Sequence, residues 1–263
     1  MSQSEAVEDK VMVGIERPAG QAGLRVERTE RRIRGYWAGQ LVVDSRKALL
    51  VFEPRRLPAY YFPTDDVRME LLTSRQQTDG EKVRWDLRSG DRSAENAAWS
   101  YRDAEGERAP LADHVAFYWK QLDSWFEEDD EVFVHPRDPY HRVDVLNSSR
   151  HVKVVVDGEL VAETRRPRLL FETGLPTRYY IPKLDIRMDL LEPTDTVTAC
   201  PYKGQARYWS LRVGDDLRRD IVWSYPAPIP ECPKIENMLS FFNEKVDIYV
   251  DGELQERPRT PWS

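Results

Sequence analysis

In the segment VKVVVDGELVAET, apolar residues recur at every second position on both sides of Asp157-Gly158. A period of two puts one face of a strand on a core, and Asp-Gly supplies the positive φ that both central positions of a two-residue turn require. The segment is therefore predicted as a β-hairpin. RIRGYWAGQLVVDS carries the same pattern near the start, with Ala38-Gly39 at the turn. YWSLRVGDDLRRDIVWSY predicts two further strands around Gly214-Asp215, with a counterpart around Gly90-Asp91. Two stretches read differently. PLADHVAFYWKQLDSWF places Leu111, Val115, Tyr118, Trp119 and Leu122 on one helical stripe, and IENMLSFFNEKV, Ile235 to Val246, is its partner. The pattern as a whole predicts a mostly β (α+β) protein of antiparallel strands with one packed helix in each half.

The halves are copies. LLVFEPRRLPAYYFPTDDVRMELL (Leu49 to Leu72) returns as LLFETGLPTRYYIPKLDIRMDLL (Leu169 to Leu191). Phe52 matches Phe171, Glu53 matches Glu172, Tyr60 and Tyr61 match Tyr179 and Tyr180, and Arg68 matches Arg187. WDLRSGD and WSLRVGD follow, and then WSY at Trp99 and at Trp223. So many matches in one order establish a tandem duplication. The expected organisation is a flexible tail over residues 1–23, a first module over 24–135 and a second over 136–263, with Pro136 and Pro139 in the connection.

Composition narrows the function classes. Of 263 residues, 40% are hydrophobic and 32% charged, a globular profile. No apolar run approaches the roughly 20 residues that cross a bilayer, and the first residues are acidic without a signal-peptide pattern. A cytoplasmic protein with no membrane partner is expected. A net charge of -7 argues against nucleic acid as a partner. Two cysteines, Cys200 and Cys232, and four histidines form no metal-ligand spacing. No metal and no cofactor is expected. The acidic run Glu127 to Glu131 lacks the spaced ligands of a calcium loop and reads as a solvated helix end or turn.

The copies differ where chemistry is densest. Seventeen residues separate Leu191 from Trp209, and they include Cys200-Pro201-Tyr202-Lys203-Gly204; twelve separate Leu72 from Trp85, with Lys82 but no cysteine or tyrosine. Pro201 fixes φ and Gly204 accepts positive φ, so the two bracket a turn that holds Tyr202 and Lys203. Chemistry that depends on this cluster belongs to the second module. Trp209, Trp223 and one of Tyr179 and Tyr180 are candidates for an aromatic wall, Lys203 and Arg187 for contact with an anion, and Glu172 or Asp189 for a carboxylate that orients a donor or relays a proton. Tyr208 and Trp209 face opposite sides of a strand, so only one lines the site. Arg68 and Arg187, shared by both copies, point to a structural Arg–carboxylate pair. Cys200 is a candidate nucleophile if Lys203 stabilises its thiolate, and Lys203 a candidate for Schiff-base chemistry.

RYYIPKLDIRMDLLEPTDTVTACPYKGQARYWSLRVGD, WSYPAPIPE and the connector VFVHPRDPYHRVDVLNSSRHV together resemble the domain of unknown function 427 family (DUF427) in tandem form. The resemblance implies small, mostly β domains related in shape to the β-tent group, which includes zinc-bearing and aromatic-cage ligand binders, with no established activity. The paired cysteines of the zinc-bearing members are missing here, so no metal carries over. Against the family pattern the second module is the faithful copy, keeping Glu172, Tyr179, Tyr180, Arg187, Asp189, Cys200, Tyr202, Lys203, Tyr208, Trp209, Trp223 and Tyr225. Three functions stand open. The first is binding of a small anionic or aromatic metabolite by the second module. The second is an enzyme using Lys203, Cys200, Glu172 or Asp189, and the third is a protein-interaction scaffold. The expected assembly is a monomer with pseudo-twofold packed modules or a homodimer.

Overall fold

A computed structural model describes residues 23–54, 56–79 and 82–263, without the side chains of residues 75–79. The tail expected up to residue 23 lies, Gly23 apart, outside the described residues. The described chain forms two compact units, one ending at Asp138 and the other spanning Pro139–Ser263. Both are built from antiparallel strands, and every helical segment among the described residues is a short 3-10 turn.

The four predicted hairpins are present. Val152–Val156 pairs with Glu159–Thr164 across Asp157 (φ 52) and Gly158 (φ 84), and Ile33–Trp37 pairs with Gln40–Ser45 across Ala38 (φ 51) and Gly39 (φ 71). Gly214 and Gly90, each at φ 57 or 56, join the longer hairpins. The irregularities repeat as well: the register slips between Trp85 and Leu87 and between Trp209 and Leu211. Asn96 and Asp220 take positive φ at matching places on the facing strands.

Each unit sets a long sheet against a four-stranded one. In the first unit the long sheet runs, in spatial order, Arg25–Arg28, Leu49–Phe52, Ala59–Pro63, His114–Phe117, Arg92–Tyr101, Lys82–Ser89 and Leu72–Asp79. The second unit keeps this order in two pieces, linked where Ile181 and Leu239 exchange backbone hydrogen bonds. Alternation along the strands divides their residues between two cores. Tyr179, Ile181, Leu211 and Val222 join Val154 and Ile248 in the larger core of the second unit; Leu170, Tyr180, Ala206, Trp223 and Tyr225 form a smaller one on the other face. Val51, Tyr61, Trp99, Tyr101 and Ala116 form the corresponding small core of the first unit.

The expected helices are replaced by strands. His114–Phe117 lies between two neighbours, with Ala116 opposite both Tyr61 and Trp99, and Leu239–Phe241 occupies the same place in the second unit. A strand paired on both edges and covered on both faces is apolar along its length, and over a few residues such a run cannot be told from a helix stripe. Val115, Ala116 and Phe117 are all buried. The chain then leaves the strand through the 3-10 turn Trp119–Gln121.

One pair of substitutions shows how each copy fills its larger core. A Cβ on Gly35 would stand 2.7 Å from Leu122, 2.9 Å from Trp125 and 2.9 Å from Val43. Gly35 therefore makes room for the indole of Trp125, its partner across the strands. In the second unit the corresponding partners are Val154 and Ile248. Gly35→Ala is expected to destabilise the first unit by about 1–3 kcal/mol, the usual cost of overpacking; urea unfolding of the full chain measures it.

Candidate functional site

The small core carries a frame common to both copies. Trp223 Nε1 donates to the Tyr180 hydroxyl at 3.1 Å with the rings edge to face at 88°, and Trp99 Nε1 donates to the Tyr61 hydroxyl at 2.9 Å with the rings at 89°. A glutamate adjoins each frame. Glu53 accepts from the hydroxyls of Tyr61 (3.4 Å) and Tyr101 (3.5 Å) and from Arg56 (3.1 Å).

In the second unit the extra residues rebuild the surroundings of the glutamate. Strands Leu191–Cys200 and Gly204–Val213 are joined by Pro201, Tyr202 and Lys203, and Gly204 takes φ +100 with no room for a side chain: a Cβ would lie 3.2 Å from the Ala227 carbonyl. The turn is tied down by Ile229 N donating to Lys203 O at 3.1 Å and by Cys232 Sγ donating to Tyr202 O at 3.4 Å. Held this way, Lys203 Nζ donates to both oxygens of Glu172 at 2.6 Å. His141 Nε2 donates to Glu172 Oε1 at 3.0 Å, and its ring stacks on Tyr202 with centroids 4.1 Å apart. The Lys203 and Glu172 side chains are only 10% and 6% exposed.

Charge pairing overcomes burial at both partners. Burial works to lower the pKa of Lys203, yet Cys200, Glu172 and Tyr180 hold it above the ordinary lysine value. Burial likewise works to raise Glu172, but the hydrogen bond from His141 and the charge of Lys203 keep it below the usual carboxylate range. Tyr180 and Tyr225 are pushed up by burial, which keeps both phenols neutral. Burial also pushes the Cys232 thiol up to about 11.

Of the residues singled out in the sequence, the structure brings together Glu172, Lys203, Tyr202, Tyr180 and Trp223, with Cys200 and Tyr208 packed against the same core. The others lie apart. Tyr179 and Trp209 belong to the opposite, larger core, so Tyr208 and not Trp209 faces the cluster. Arg187 is exposed and pairs with Asp189 at 2.7 Å and with Glu159 at 3.3 Å. Arg68 makes the same contact with Glu70, so the Arg–carboxylate pair shared by the copies is local to one turn and does not involve Glu53 or Glu172. His141 and Cys232 were not singled out for this cluster: neither stands in a periodic segment, and only the fold carries them to Tyr202. Among the described residues, no three His, Cys, Asp or Glu side chains converge as a metal site.

The first unit lacks the turn and fills the space otherwise. Lys82, in the position of Ala206, lies over the rings of Trp99 and Tyr101 at 5.3 and 5.9 Å, and a cavity of about 380 Å³ opens beside Glu53. The acidic run also departs from expectation. Glu127 is buried and accepts from Tyr60 at 2.8 Å and from Arg31 at 2.5 Å, while Glu128 and Asp129 form the solvated turn. A second buried ion pair lies beside the frame of the second unit. Arg178 donates to both oxygens of Glu244 at 2.7 Å, and its guanidinium lies over Trp223, Phe242 and Trp262 at 5.5, 5.8 and 5.7 Å.

Duplicated frame and copy-specific turn agree with the comparison to known families. The family described as Domain of unknown function (DUF427) matches residues 25–128 and again residues 144–252. The chain belongs to the DUF427 family. It is a tandem member, with one DUF427 repeat in each unit. No curated protein matches the chain. The two DUF427 repeats supply an internal comparison: a shared glutamate and aromatic frame, which in the second repeat is joined by the Lys203–Glu172 pair, His141 and the two cysteines.

Proposed function

We propose that the second DUF427 repeat binds a small aromatic anion at the Lys203–Glu172–His141 centre. The observation that carries this reading is the burial of both partners of the Lys203–Glu172 ion pair, where the other copy pairs the matching Glu53 with the exposed Arg56. A buried pair is weak as a stabilising device, since desolvation offsets most of its attraction, and ionisable groups gathered against burial cluster at functional sites. Lys203 has three N–H donors and Glu172 takes two. The third is the one a ligand oxygen would accept. Tyr202 and His141, stacked beside it, offer a planar surface for a ring.

Calorimetric titration of the full chain with benzoate tests the reading. Lys203→Ala, checked for folding by near-ultraviolet circular dichroism, is expected to bind benzoate at least tenfold more weakly, as about 1.4 kcal/mol or more from a charge-assisted hydrogen bond implies. Equal affinity in the two proteins, or no binding to the wild type, rejects it. The hydrogen bond from His141 to Glu172 favours a second reading, acid–base chemistry on the bound molecule, because the carboxylate fixes the ring and its tautomer. Turnover that disappears in His141→Gln while benzoate still binds would support that reading.

A further inference from the structure

We propose that Ser240 forms the far end of this site, so that its ligands are aromatic anions with a second hydrogen-bonding group opposite the charge. This rests on the binding reading above. Ser240 is fully buried, and among the described residues its Oγ has no hydrogen-bond partner. It stands directly opposite Trp223 in the sheet, and residues so paired point to the same face. The pairing of Ile181 with Leu239 brings Tyr180 alongside Ser240 from the other edge. The hydroxyl therefore lies on the floor of the small core, between the two aromatic residues whose tips are joined by the Trp223–Tyr180 hydrogen bond.

The first repeat is the control built into the chain. There Ala116 stands opposite both Tyr61 and Trp99, and the same Trp-to-Tyr hydrogen bond closes over it. The frame needs no hydroxyl to form. A buried hydroxyl without a partner is a net cost to folding, and the second repeat carries that cost where it also carries Lys203. A molecule held by its anion at Lys203 and passing under the Trp223–Tyr180 bridge would present its distal polar group to Ser240 Oγ.

The experiment compares benzoate with 4-hydroxybenzoate, which adds a hydroxyl opposite the carboxylate, by calorimetric titration of the full chain. Wild type is expected to prefer 4-hydroxybenzoate by about tenfold, the equivalent of one satisfied buried hydrogen bond. Ser240→Ala is expected to lose that preference, keep its affinity for benzoate and unfold at a higher temperature. Ser224→Ala is the matching control: its hydroxyl is also buried and, among the described residues, unpartnered, but alternation from Trp223 turns it to the larger core. It should leave the preference intact. Wild type binding both probes equally, or Ser240→Ala keeping the preference, overturns the proposal and leaves the benzoate site standing. A change in unfolding temperature alone, as for a hydroxyl that only holds a structural water, also overturns it. Failure of both probes to bind wild type rejects this proposal together with the reading beneath it.

Discussion

Lys203→Met is expected to lower the unfolding free energy of the second DUF427 repeat by about 3–5 kcal/mol, the usual result of removing one partner from a buried ion pair. The loss comes less from the missing attraction than from what is left behind. Glu172, 6% exposed, would be left buried with the His141 N–H as a hydrogen-bond donor but without the ammonium. Glu172→Gln combined with Lys203→Met should recover much of the deficit, because a neutral amide no longer needs the ammonium. Urea unfolding of the full chain near pH 7 measures both, and a single variant within about 1 kcal/mol of wild type would contradict the argument. The pH dependence has a definite sign. Lys203 is raised in the folded protein, so its contribution is complete below the ordinary lysine pKa and is lost as the pH rises through the elevated one. Glu172 is lowered, so its contribution is complete above the ordinary glutamate pKa and is lost as the pH falls through the depressed one. The pair should contribute a constant amount across neutral pH and fail only at the two extremes.

Arg178→Met should cost about as much, again about 3–5 kcal/mol, for a more rigid reason. The Glu244 side chain is 0% exposed and receives two parallel hydrogen bonds from the guanidinium, with a third at 2.6 Å from Thr260. Methionine fills space beside Trp223 and Phe242 but gives the carboxylate nothing. Arg178→Lys is the informative companion. A lysine restores the charge without the planar fork or the stacking on three rings, so it should recover part of the stability and no more. Full recovery by lysine in thermal unfolding of the full chain would show that charge alone matters there.

The parts of this fold that were legible in the sequence are those set by local backbone chemistry. Asp157-Gly158 announces its hairpin because few residues besides Gly, Asn and Asp accept positive φ, Ala38-Gly39 is marked by its glycine between two alternating runs, and the duplication is written in the order of Phe171, Glu172, Tyr180 and Arg187. The strands at His114–Phe117 and Leu239–Phe241 were not legible, because their apolar character comes from neighbours on every side. The cluster was half visible. Lys203, Tyr202, Tyr180, Trp223 and Glu172 stand out by type or by copy, and the strand period separates Tyr208 from Trp209 without saying which of them faces inward. His141 could not be placed, since a connector with two prolines has no period and the histidine reaches Tyr202 only through the fold. Arg178 and Glu244 look like ordinary surface charges until the turn after Phe241 puts the carboxylate beneath the guanidinium.

Two homologous units in one chain invite a specific folding error, in which a strand of one copy inserts into the sheet of the other. The contact between Gly35 and Trp125 opposes it. A strand carrying Val154 would bring a branched side chain into the space the Trp125 indole fills, whereas a strand carrying Gly35 would leave a void beside Ile248. Either exchange is penalised, by overlap in one direction and by a cavity in the other.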